Sequence, residues 1–336
     1  MPRDVSTPVG ARAVTAVAPA KINLHLGVGD LRPDGFHDLL TVYRAVDLWE
    51  EVTVALVEGD DPDDDEVIVS GPGAGQVPTD RSNLAARAVD LLREEAGTDA
   101  PLSIRIRKGV PVAGGMAGGS ADAAAALVAT DRLLGLGMGR AALEERAARL
   151  GSDVPFCLLG GTALGTGRGE KLATLLHARA EQHVVVALAD GGLSTPVVFA
   201  ELDRLRAERP AAGRDLPRAG GVESLVEALG GDDPARVAGL LANDLEPAAL
   251  SLMPALRRTL RAGADAGALH GMVSGSGPTC LFFCTGREQA ISVAAELSEN
   301  GVAREVRITH GPVGGARILD TPHQTAHQNP QQTPEQ

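Results

Sequence analysis

The run PVAGGMAGGSADAAAAL, Pro111 to Leu127, decides how the rest of the chain is read. It sets Gly114, Gly115, Gly118 and Gly119 directly against an alanine-rich segment. Glycine loses the most backbone freedom in regular structure, whereas alanine is the best helix former. The junction therefore predicts a loop whose backbone approaches a partner closely, ending on the free N–H groups of a helix over about 120–134. Successive N–H groups and the positive end of a helix hold anions, and a phosphate fits there. The patterns GxxxxGK[ST] and GxGxxG are both missing from the run, so any phosphate device is of another kind. Tight packing is the plainer account of the glycines, and an N-cap the plainer account of Ser120.

Outward from that run, composition bounds the answer. A chain of 336 residues has room for two ordinary domains or one large one. Apolar residues make up 44% but aromatics only 2%, so the core is expected to be aliphatic and alanine-packed. Lys21, Lys108 and Lys171 are the only lysines among 31 basic residues, which makes each of them informative. A net charge of −13 argues against a nucleic-acid surface. The acidic run EGDDPDDDE, Glu58 to Glu66, reads as a solvated loop without calcium-loop spacing. Cys157, Cys280 and Cys284 form no CxxC and suggest no disulfide framework. No apolar run reaches a membrane span and the first residues lack a leader's apolar stretch, so a soluble, cytoplasmic protein is expected, with no membrane and no protein partner.

Patterning gives an α+β chain. Strands are expected through ARAVTAVAPAKINLHLGVG (with a loop starting near Pro19), twice in 35–57, and over DEVIVSG and PLSIRIRKGVP. SNLAARAVDLLREEAG reads as a helix capped by Ser82 or Asn83 and stopped by Gly97, and RAALEERAARLG as a helix ending at Gly151. A loop, then a glycine-rich strand and turn, follow from Ser152. A second block opens with QHVVVALAD and carries helices near 196–207, 221–229, 234–242 and 247–263, and the strands HGMVSGSG, TCLFFCT and AREVRITHG. The divisions expected are an arm over 1–13, domains over 14–175 and 185–317, and a polar, disordered tail over 318–336.

Other stretches carry chemistry-bearing residues. Lys21 sits where the pattern predicts that a strand gives way to a loop, two positions before Asn23; a surface lysine is the plain alternative. The turn PDGFH presents Phe36 beside His37, a pair suited to a flat ring or merely incidental to a surface turn. Asp153 in GSDVPF suits a base, a metal ligand or a helix cap. Ser274, Gly275, Ser276 and Gly277 form either a tight hairpin or a second backbone approach to a phosphate.

The order PAKINL, proline–glycine loop–helix, GSDVPF and late SGSGP resembles the superfamily of galactokinase, homoserine kinase, mevalonate kinase and phosphomevalonate kinase. APAKINLHLGVGDLRPDGFHDL, GSDVPFCLLGGTALGTGRGE and STPVVF are similar to the branch that acts on a cytidine diphosphate-linked methylerythritol. The resemblance spans roughly 14–315 and implies an α+β, two-domain kinase fold with the active site in the interdomain cleft. It implies Lys21 and Asp153 as the catalytic pair, the aspartate taking the proton of the attacking hydroxyl. It implies ATP as donor, wrapped by Pro111, Val112, Ala113, Gly114, Gly115, Met116, Ala117, Gly118, Gly119, Ser120 and Ala121, with Mg²⁺ bridging phosphates. Asn23, Phe36, His37, Thr195 and Phe199 would hold the small-molecule substrate, with His37 reading the base edge and the two phenylalanines on its faces. Ala113, Ala117, Ala121 and Phe36 depart from the family's usual residues, leaving Ser120 as the one hydroxyl near the metal. A sibling kinase for homoserine or mevalonate and a non-catalytic binding relative are the rivals. The ring-binding residues count against the first, and the Lys21/Asp153 pair against the second.

Overall fold

The computed structural model describes residues 12–57, 65–112, 114–178, 180–208, 216 and 218–319. The expected arm (but for Arg12 and Ala13), most of the acidic run, Ala113 and the tail from 320 onward lie outside the described residues. In chain order the first part runs β1 (Ala13–Leu31), β2 (His37–Leu56), β3 (Glu66–Ser70), α1 (Leu84–Ala96), β4 (Leu102–Arg107), α2 (Gly118–Leu134), α3 (Arg140–Leu150), α4 (Val154–Leu159), β5 (Thr162–Thr166) and β6 (Lys171–Thr174). Then come β7 (Gln182–Leu188), α5 (Thr195–Glu208), α6 (Glu223–Ala228), α7 (Pro234–Ala238), β8 (Ala242–Asn243), α8 (Glu246–Leu252), α9 (Leu256–Asp265), β9 (His270–Val273), β10 (Cys280–Cys284), α10 (Arg287–Glu299), β11 (Glu305–Gly311) and β12 (Arg317–Ile318).

The β1–β2 pair is the frame. It runs antiparallel, with its register shifting between Pro19 and Ala20: Pro19 faces Trp49 but Ala20 faces Val46. Proline is tolerated in a sheet at such a bulge, so the strand continues where the sequence suggested a loop. Lys21 consequently lies inside β1 and not at its end. Beyond the bulge β2 changes partner, pairing with β4 over Glu51–Leu56 and with β5 over Thr41–Arg44. The order β12-β1-β2-β4-β3, with β5, β6 and β8 attached, makes one sheet of eight strands; β11-β7-β10-β9 makes a second of four. Because β8 and β12 pair with β1, the late part of the chain closes the first sheet as well as building its own.

The main core is built on alanine. Ala121, Ala123 through Ala126 and Ala129 of α2 are fully buried against α1, α4 and the sheet, with Val52, Leu92, Ile104 and Leu127. A helix apolar nearly all round must be enclosed, and methyl side chains let its axis lie close to its neighbours. Asn83, not Ser82, caps α1 through the Ala85 N–H, and Gly97 ends it in the left-handed region.

Several expectations shift by physical necessity. The helix expected over 247–263 is broken into α8 and α9 around Pro254, which cannot continue a helical ladder. Helix α2 begins at Gly118, so Ser120 lies in its first turn and the N-cap residue is Ala117, with no side-chain cap bond. Asp65 of the acidic run is no solvated charge: Arg93 pairs with it at 2.8 Å, Arg81 approaches at 3.2 Å, and the Leu102 N–H donates to it. Ile318 belongs to β12 and the Leu319 N–H donates to the Thr15 carbonyl, while Ala13 already belongs to β1. No helix among the described residues is long and apolar enough to cross a membrane.

Candidate active site

A cavity of about 800 Å³ opens between the two sheets' elements, lined by β1, β2, the glycine loop, the residues before α4, α5 and the β9–β10 turn. Residues two apart on a strand share a face, so the KIN run of β1 presents Lys21 and Asn23 to the cavity while Ile22 turns into the core. The Lys21 ammonium donates to Asn23 Oδ1 at 2.9 Å and lies 3.6 Å from Asp153 Oδ2. Asn23 is fixed in turn: its amide donates to Thr41 Oγ1 at 2.8 Å, and that hydroxyl donates to the His25 carbonyl.

Asp153 immediately precedes α4, a six-residue helix whose proline at the second position suits a first turn. Its side chain makes no capping bond, so the commonest role for an aspartate there is not the one it plays. One oxygen accepts from the Tyr43 hydroxyl at 3.3 Å and the other faces Lys21. Burial, with the Asp153 charge adding to it, pushes the Tyr43 phenol well above its ordinary range, so it stays a donor. The Lys21 ammonium also sits 5.3 Å above the Tyr43 ring centre.

The glycine loop forms the next wall. The Lys21 N–H donates to the Met116 carbonyl at 3.1 Å, binding the loop to β1. Gly115 has φ +69, and a Cβ there would lie 2.6 Å from the Ser274 carbonyl; no other residue fits. The stretch from Ser274 to Gly277 forms the tight turn between β9 and β10, the first of the two alternatives, and it presses against the glycine loop with Gly275 and Ser276 facing the cavity. Ala117 has φ 60, the one non-glycine at positive φ among the described residues. Gly115, Ala117 and Ser120 face the cavity, Pro111, Gly114, Met116 and Ala121 are buried, and Val112, Gly118 and Gly119 lie outside its lining.

At the far end, His37 is 7% exposed and held on three sides. Its Nδ1 donates to the Gly29 carbonyl at 3.0 Å, its Nε2 lies 3.3 Å from Asp203 Oδ2, and its ring stacks on Phe199 at 5.2 Å. Phe36, half exposed at the mouth, has the Arg168 guanidinium 4.9 Å from its ring centre. Thr195 shares a 2.9 Å hydrogen bond with Ser276, joining α5 to the β9–β10 turn. Phe199 therefore stacks on the histidine in this structure, and Phe36 is covered by an arginine.

Sequence reasoning missed Tyr43, Arg168 and Asp203, all of which line the cavity. Tyr43 had one available signal, being the chain's single tyrosine. For a divalent ion the donors fit a light hold only: among the described residues no three His, Cys, Asp or Glu side chains cluster for a metal. The Ser120 hydroxyl at the loop side suits Mg²⁺, which commonly keeps phosphate and water oxygens as its other ligands.

A lysine–aspartate pair beside a glycine loop, in the cleft of an α+β fold, defines a small-molecule kinase, and the comparisons agree. Residues 83–161 match the N-terminal domain of the GHMP kinases and residues 225–303 their C-terminal domain. The 4-diphosphocytidyl-2-C-methyl-D-erythritol kinase of Nocardia farcinica is 56% identical over 303 residues, covering 90% of this chain and 95% of that one. That of Mycolicibacterium gilvum is 55% identical, covering 92% and 94%. A crystal structure of a 4-(cytidine 5'-diphospho)-2C-methyl-D-erythritol kinase superposes with a TM-score of 0.69 at 31% identity, over 88% of this chain and 99% of that one. The chain belongs to the 4-diphosphocytidyl-2-C-methyl-D-erythritol kinase family of the GHMP kinases.

Proposed function

We propose that this chain transfers the γ-phosphoryl group of ATP to the 2-hydroxyl of 4-diphosphocytidyl-2-C-methyl-D-erythritol, a step in making isoprenoid precursors by the non-mevalonate route. The observation that carries this is one cavity holding Lys21 3.6 Å from Asp153, with the glycine loop on one side and the His37–Phe199 stack on the other. Asp153 accepts the proton of the attacking hydroxyl. Lys21 holds the carboxylate and the hydroxyl together and offsets the negative charge that develops. Phosphoryl transfer asks a protein mainly for position and charge, and these residues supply both. Ser120 is the residue that would help to hold Mg²⁺, which when bound would neutralise charge on the phosphate oxygens.

His37, Phe199, Phe36, Asn23 and Thr195 form the acceptor's end of the cavity in this reading, His37 and Phe199 taking the cytosine. The division into domains over 14–175 and 185–317 belongs to it as well, as does a cytoplasmic location. The test is ³¹P NMR of the purified protein with ATP, Mg²⁺ and the cytidyl substrate, run beside mevalonate and homoserine. A new monophosphate resonance with the cytidyl substrate alone, in step with ADP, is expected. Turnover of a sibling substrate would keep the kinase and discard the cytosine site; silence from folded protein would discard both.

A further inference from the structure

Of the chain's three lysines, Lys108 has no place in the chemistry above, yet it is the most deeply enclosed. Its side chain is 2% exposed, against 0% for Glu50 and 3% for Asp122. The ammonium lies 2.6 Å from Glu50 Oε1 and 2.5 Å from Asp122 Oδ2. The other oxygen of Glu50 accepts from the Gly109 N–H at 2.9 Å.

Position makes this cluster more than a buried ion pair. Lys108 follows the last residue of β4 and enters the glycine loop; Asp122 lies in α2, just past the loop's end; Glu50 belongs to β2 beneath both. The loop's two ends are therefore tied to one another and to the central sheet through a single ammonium. Nothing bulkier than glycine fits at the entry, since a Cβ on Gly109 would collide with the Trp49 carbonyl. At the exit, a Cβ on Gly118 would lie 3.0 Å from Glu50 Oε1 and 3.5 Å from Lys108 Nζ. Ala117 offers no side-chain cap, so no capping side chain sets how α2 begins. Stability alone does not explain the arrangement, because buried ion pairs are often no better than apolar residues of the same volume. Two carboxylates against one ammonium make the exchange less favourable still.

We propose that Lys108, Glu50 and Asp122 are positioning residues for ATP, clamping both ends of the glycine loop so that its backbone N–H groups and the start of α2 face the phosphates. The clamp deepens the kinase reading and rests on it. It touches neither Asp153 nor the acceptor's end of the cavity, so its loss should fall on the nucleotide.

The experiment compares Asp122→Ala, Asp122→Asn and Lys108→Met with the wild-type chain. Nucleotide binding is read directly from the fluorescence of Trp49, the single tryptophan, and KM for ATP and for the cytidyl substrate are measured beside it. Asp122→Ala and Lys108→Met are expected to weaken ATP about tenfold while KM for the acceptor stays within about twofold. Asp122→Asn keeps an oxygen for the ammonium and should recover ATP binding to within about threefold of wild type. A folded Asp122→Ala with wild-type ATP affinity, an equal loss for both substrates, or an asparagine no better than alanine would each overturn the clamp. Should Lys108→Met fail to fold, the alanine–asparagine comparison still decides. Wild-type protein that neither binds nor uses ATP would sink the kinase reading instead, which keeps the two failures apart.

Discussion

At the scale of single residues, Asp153 and Tyr43 make different demands on the same hydrogen bond. Asp153→Asn removes the proposed base while keeping its shape, so turnover should fall by about 10² to 10⁴, with ATP binding unchanged. Unchanged turnover in that variant would show that the proton leaves by another path. Tyr43→Phe takes away only the hydroxyl 3.3 Å from the carboxylate and leaves the ring under Lys21 and against Phe156. One such bond contributes about 1 kcal/mol, so kcat should drop roughly fivefold with both KM values steady. A change in KM alone would instead place the hydroxyl in substrate binding. These residues differ in how visible they were. Asp153 stands out by its motif, although its residue type alone leaves base, ligand and cap open, with a cap the commonest of the three. Tyr43 reaches the site only because the β1–β2 register sets it opposite Asn23. Arg168 and Asp203 likewise arrive from β5–β6 and α5 by packing, which no local pattern encodes.

At the scale of elements, the glycine-to-alanine junction was legible because loop and helix chemistry are local. The helix starts two residues before the expected position, where Ala117 adopts φ 60 and ψ 34. An alanine there bears a steric cost of about 1–2 kcal/mol that glycine does not. Glycine in turn loses about 0.4–1 kcal/mol through its freer unfolded chain. Ala117→Gly should therefore stabilise the protein by about 0.5–1 kcal/mol, and Ala117→Val should destabilise it; thermal unfolding reads both. A destabilised glycine variant would mean that the surrounding contacts have relieved the strain. Helix α4 has only six residues and falls where the sequence suggests a loop, and α10 (Arg287–Glu299) is absent from the expected helices. Burial decides α4, whereas α10, rich in alanine, glutamate and other helix formers, is readable from propensity alone. Strand β1 shows the reverse error: Pro19 is a breaker in isolation, and only its partner β2, which absorbs the shift, keeps the strand whole.

For the whole molecule, the buried cluster beneath the glycine loop ties function to pH. Burial, reinforced by the Asp122 charge and only partly offset by Lys108, raises the Glu50 carboxyl from 4.5 to about 7. Asp122 is raised too, again mainly by burial. A carboxyl with a higher pKa folded than unfolded takes up a proton on folding, so between those two values the folded state binds more protons than the unfolded one. Stability then falls as pH rises from about 4.5 to about 7, and levels off above that. Glu50→Gln retains an oxygen and an N–H in the same space but cannot ionise. The variant's gain in thermal midpoint over the wild type should accordingly be larger at pH 8 than at pH 5. A difference that stays constant across that range would mean Glu50 keeps its charge throughout, the ammonium of Lys108 having outweighed burial. In that case the ion cluster would be stabilising in its own right, and only its placement at both ends of the loop would still favour a positioning role.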